Sequence, residues 1–151
     1  MKRGICLLVT LLFVSTFCGC NSNSFAVKVF TNLGIEKFED ENSAVLVKDY
    51  NDLLNYCDKI QIGQYDSSFK STIMAYDEQF FEGKMLVLLY YWEETSSSKL
   101  SIKDVELKDN VINVSIKRDV PKIVSDTMKD YFFIIEVQRD ANCSSVTYKI
   151  K

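Results

Sequence analysis

The chain of 151 residues contains no histidine, a single proline and five glycines. Without histidine there is no imidazole to activate a serine or cysteine nucleophile, to act as a general base at neutral pH, or to complete most catalytic zinc sites. An enzyme built on this sequence would have to use carboxylates, lysine, tyrosine or a loosely held hard cation. The scarcity of proline and glycine argues against collagen-like or long low-complexity segments. Basic residues do not cluster: 18 Lys and Arg face 21 Asp and Glu, a formal charge of −3. A nucleic-acid partner would require a basic stripe, and none is written here. What is plentiful is aromatic and aliphatic bulk. Hydrophobic residues make up 47% of the chain, with ten Phe and eight Tyr, enough for one well-packed domain but not for two.

The longest apolar run lies at the start. Lys2 and Arg3 precede the run Ile5 to Phe17, which is too short to cross a hydrocarbon core of about 30 Å and has the layout of an export signal. It closes on Phe17-Cys18-Gly19-Cys20. This tetrad resembles a bacterial lipobox. The resemblance implies a signal peptide over residues 1–19, cleavage before Cys20, diacylglycerol (palmitate-type) modification of the Cys20 sulfur and acylation of its new amine. Cys18 would leave with the signal. Residues 20–25 then form a lipidated start and short polar tether, and residues 26–151 one domain on the extracytoplasmic face of a cell membrane. Removing Lys2 and Arg3 leaves 16 basic residues against 21 acidic ones, a net of −5. An acidic domain gains nothing from an anionic leaflet, so acyl chains would have to hold it there.

Within the domain, Ala26–Val29 and Ala44–Val47 read as short strands. Asp49 is placed to cap a helix over 49–60, whose apolar face is Tyr50, Leu53, Leu54, Cys57 and Ile60. Residues 61–75 read as loop. Tyr76 to Lys84 reads as a short helix, with Asp77 and Glu78 at its start, Phe80 and Phe81 inward and Gly83 at its end. Met85 to Tyr91 and Tyr131 to Val137 are apolar without alternation, as strands covered on both faces are. Between them, residues 100–118 form a hairpin. Leu100 and Ile102 stand in one phase and Val105 and Leu107 in the other, so a β-bulge is predicted near Lys103-Asp104. Asp109-Asn110 supplies the tip, and Val146–Ile150 a final edge strand. The predicted class is α+β: a mainly antiparallel meander with one principal helix on one face.

Residues 76–140 carry an acidic-Phe-Phe segment (Asp77, Phe80, Phe81), a strong strand, a serine-rich turn, a hairpin, a loop with Pro121 and a second apolar strand. This pattern is similar to small secreted domains and lipoproteins of clostridia. More distantly, it resembles the C-terminal domain of PrcB, a lipoprotein subunit of a spirochaete protease complex. The resemblance implies an extracytoplasmic accessory or binding module, and it carries no catalytic residue.

Few residues invite chemistry. Cys57 and Cys143, the thiols left after export, are expected either to form a disulfide or to remain as two buried thiols. The pairs Asp40-Glu41, Asp77-Glu78 and Glu93-Glu94 read as solvent contacts rather than an acid/base couple, which needs two carboxylates facing one another across a cleft. Thr95 to Ser98 reads as a polar turn, since no base accompanies its serines. Tyr90 and Trp92 fall on one side of their strand, opposite Tyr91; core packing is their default reading, and as an exposed pair beside Glu93 they would be the best candidate ligand patch. No cofactor or metal is called for. The sequence thus points to a non-enzymatic module that binds a protein partner. The alternative is a lipoprotein that captures a peptide or saccharide on the aromatic patch, and a histidine-free hydrolase is a distant third.

Overall fold

A computed structural model of the chain describes residues 25–33, 42–123 and 127–151. Its centre is a four-stranded antiparallel sheet in the order β1-β6-β3-β2. These strands are β1 (Ala26–Thr31), β2 (Asn42–Val47), β3 (Lys84–Glu93) and β6 (Lys129–Gln138). The two apolar runs without alternation are its inner strands, β3 and β6, paired from Lys84↔Gln138 to Glu93↔Lys129. Leu86, Leu88, Tyr90, Phe132 and Ile134 fill one core. Met85, Val87, Leu89, Tyr131, Phe133, Ile135 and Val137 fill another. Each inner strand is therefore buried on both faces, which is why neither alternates.

Helices cover the first face. Asp49 caps α1 (Tyr50–Lys59), its side chain accepting the Asp52 N–H at 2.8 Å. Leu53, Tyr56 and Cys57 turn inward, followed by Ile60. Leu54, expected inside, is exposed, because the buried stripe drifts toward Tyr56 instead. A short 3-10 turn (Ile62–Gln64) and a second helix, α2 (Ser67–Ile73), replace the loop expected over 61–75. The Asp66 carboxylate caps α2 through Ser68 N–H, and Phe69 and Ile73, four residues apart, bury completely. Phe69 meets Phe30, Tyr65 and Phe132 edge-on, at centroid separations of 5.2, 5.8 and 4.9 Å. The third helix, α3 (Glu78–Gly83), is capped by Asp77 and buries Phe81, with Phe80 half-buried beside it.

The second face is covered by another sheet, ordered β4-β5-β7, with β4 (Lys99–Lys108), β5 (Val111–Asp119) and β7 (Ser145–Ile150). The hairpin has its bulge between Ile102 and Asp104, and both tip residues, Asp109 and Asn110, take positive φ (53° and 63°). The α+β class stands, with helices, one sheet and a second sheet in three layers. The expected meander with one principal and one short helix is refined in two respects. Three α-helices occur among the described residues, and β7, though an edge strand, pairs parallel with β5 (Ile112↔Val146) in a separate sheet. The cause is burial: one sheet with helices on one face would leave Met85, Val87 and Leu89 in water. The alternating hairpin, with one apolar face, supplies the missing cover.

Candidate functional site

Strand β3 overruns the helical layer at its C-terminal end, and this separates the two aromatic residues of the candidate patch. Tyr90 and Trp92 do share the helix-side face, while Tyr91 points the other way and meets Tyr148 edge-on at 6.5 Å. Tyr90, however, is only 2% exposed and belongs to the helix-side core. Burial, then the charge of Asp130 and the neighbouring Tyr65, push its hydroxyl pKa well up. The aromatic pair is thus corrected to Trp92 alone, 37% exposed. The Trp92 backbone N–H donates to Asn42 Oδ1 at 2.8 Å, and its indole Nε1–H to Met128 Sδ at 3.2 Å.

Trp92 stands at an apolar end of the molecule. Met128 is 62% exposed, and the same β5–β6 connection displays Val120 and, at 87%, Ile123. Thr127 of that connection is tied to the serine turn. Ser96 N–H donates to the Thr127 carbonyl, and the Ser96 and Thr127 hydroxyls share a hydrogen bond, each at 2.5 Å. The turn serines are structural: Ser98 is buried, donates its N–H to the Thr95 carbonyl, and its own carbonyl accepts the Tyr131 hydroxyl at 2.8 Å.

Two polar clusters punctuate the cores. Glu93 is buried between the sheets and accepts a hydrogen bond from Arg118, while its neighbour Glu94 is exposed. Near the other end, Glu136 accepts from Tyr76 Oη at 2.9 Å and Lys84 Nζ at 3.0 Å, and Lys28 Nζ donates to Tyr76 Oη at 2.9 Å. Burial, assisted by the Glu136 hydrogen bond and charge, raises Tyr76. Burial also pushes Glu136 up, but the hydrogen bonds from Lys84 and Tyr76 and the charges of Lys84 and Lys28 outweigh it, leaving a net decrease. Both groups are thus moved away from neutrality, opposite to what proton exchange at pH 7 asks for. Asp77 and Glu78 serve the cap and first turn of α3, and Asp40-Glu41 lies outside the described residues. No group of three or more metal-ligating side chains forms among the described residues.

Of the two alternatives for Cys57 and Cys143, the structure has the free, buried thiols and not the disulfide. Cys57 belongs to the helix-side core and Cys143 to the inter-sheet core, with the four-stranded sheet between them. Burial, then the charge of Asp58, pushes the Cys57 thiol up to about 11, the reverse of nucleophile activation. Cys20 and the signal segment lie outside the described residues.

A cleft opens at the opposite end from Trp92. It is a cavity of about 180 Å³, walled by Phe25, Met85, Val105, Leu107, Ile112 and Val137, with Gln138, Arg139 and Asp140 at the rim. Since β1 runs antiparallel to β6 and β6 to β3, Phe25 lies at the Lys84 end of β3. The ten residues of β3 put the two ends roughly 30 Å apart. The pocket, and the Val120, Ile123 and Met128 part of the patch, were missed in the sequence because both depend on where layers end, which local pattern does not encode. Compared with known protein families, with curated proteins and with solved structures, the chain finds no match.

Proposed function

We propose that the chain is a lipid-anchored extracytoplasmic lipoprotein whose domain is a non-enzymatic protein-binding module, an accessory of a surface or protease complex. The observation that carries the binding role is the apolar end with Trp92, Val120, Ile123 and Met128 exposed, beside Thr127 tied to Ser96. The five peptide links from Cys20 to Phe25 reach at most about 18 Å, and they join the domain at the far end from Trp92. An anchor at Cys20 therefore directs the apolar end away from the bilayer, where the partner is a protein rather than lipid. A saccharide or peptide platform is the weaker alternative, because Tyr90 is inside the core. The test is chemical cross-linking in native membranes. Trp92→Ala with Ile123→Ser should remove the cross-linked partner and leave the protein in the membrane, whereas Cys20→Ala should release it. A Cys20→Ala protein that stays membrane-bound with its signal removed contradicts the anchor, and an unchanged cross-link in the double variant contradicts the docking end.

A further inference from the structure

The inter-sheet cleft lies where the tether enters the domain, and its chemistry is one-sided. Phe25, Met85, Val105, Leu107, Ile112 and Val137 make an apolar wall, and Met85 is 1% exposed. The rim charges are partly tied to the protein itself. The Arg139 guanidinium donates to the carbonyls of Lys48 and Phe81 at 2.8 and 2.6 Å, and Asp140 Oδ1 accepts the Asn142 N–H at 2.8 Å. A fatty acid or phospholipid entering alone would have only the exposed Gln138 and the rest of the Arg139 guanidinium to hold its carboxylate or phosphate. An alkyl chain whose polar end is secured elsewhere needs neither. The volume, about 180 Å³, is slightly above that of an apolar cavity known to take benzene, and so suits about six carbons of a chain.

We propose that the cleft receives the end of one acyl chain carried on Cys20 of the same molecule, the remaining chains staying in the bilayer. The proposal rests on Cys20 being acylated. Phe25 lines the cleft, and the five peptide links to it from Cys20 span at most about 18 Å. The chain is thereby confined near the mouth, and insertion is an intramolecular event with the advantage that tethering confers. Seating one chain in the domain fixes the orientation of the domain on the membrane, with the Trp92 end outward, while chains left in the lipid still anchor it.

The experiment uses the full chain expressed with a diazirine analogue of methionine, which replaces Met74, Met85 and Met128 without a mutation. Membranes are irradiated and digested. Intact mass of the N-terminal peptide is read first: absence of acyl groups there refutes the anchoring premise separately. With acylation present, the expected product joins the Met85 peptide to the acyl group of the Cys20 peptide of the same chain. That product is lost completely in Cys20→Ala and is absent at Met128, which sits at the far end. A Met85 peptide joined to a phospholipid or to another protein, or bearing no adduct, overturns the proposal. A benzophenone amino acid at Leu107, on the rim and partly exposed, repeats the test from the opposite wall.

Discussion

Arg118→Met is expected to cost the domain far more than the loss of one ion pair at its surface would. Glu93 has a fully buried side chain, and its listener across the sheets is Arg118, itself 35% exposed. Removing the guanidinium strands a carboxylate between two sheets, and breaking a buried pair in this way typically costs about 3–5 kcal/mol. The partial exposure of Arg118 places the expected loss near the lower end, about 3 kcal/mol, or a Tm decrease of about 10 °C for a domain of this size. The same structure predicts that the pair is not a net asset. Glu93 Oε2, Arg118 Nε and the nearby Ser98 Oγ are buried without hydrogen-bond partners. One charge wholly and one partly taken out of water, each with an unsatisfied atom, leave a desolvation cost that their attraction offsets poorly. Glu93→Leu combined with Arg118→Met should therefore return to within about 1 kcal/mol of the parent, or exceed it. Urea unfolding of the Cys20→Ala chain measures this, followed by far-UV circular dichroism and by the fluorescence of Trp92, the sole tryptophan. If Arg118→Met is neutral, Glu93 is not buried as described. If the double variant is as unstable as Arg118→Met, the pair stabilises the fold and the reasoning from unsatisfied atoms is wrong.

The remaining predictions concern the thiols and the acid limb of stability. Both Cys57 and Cys143 should titrate with a thiol reagent in denaturant and neither in the native state, with no mobility change on a non-reducing gel. Since burial holds the Cys57 thiol near 11, raising the pH to 9 should not unmask it; oxidised protein in neutral buffer would contradict this. The lowered pKa of Glu136 contributes stability that is present above the ordinary glutamate value and lost as pH falls through the depressed one. Glu136→Gln should flatten that acid limb, and an unchanged pH profile of unfolding would show that Lys84 and Tyr76 do not hold the carboxylate in solution.

What the sequence made legible was local. Asp49 and Asp77 carry cap chemistry on the page, the phase change between Ile102 and Val105 marks a bulge, and Asp109-Asn110 tolerates the positive φ of a tight hairpin. What it left hidden was set by contacts distant in the chain. Residues 61–75 look featureless, yet Asp66, Phe69 and Ile73 are a cap and an i, i+4 apolar pair that become a helix once Phe132 and Phe30 offer a surface. The non-alternating β3 implied cover on both faces, but not that the hairpin would provide it as a second sheet. The candidate site was legible only in part for the same reason. Strand alternation placed Tyr90 with Trp92, and only the extent of the helical layer decides that one is core and the other surface.

We propose Cys20 as the acylated first residue of a membrane-held domain. Intact mass spectrometry of the protein purified from membranes tests it most directly. The account predicts a chain of residues 20–151 carrying the added mass of acyl groups on Cys20, absent from a Cys20→Ala protein. A chain that begins elsewhere, or one that begins at Cys20 with no added mass, would contradict it.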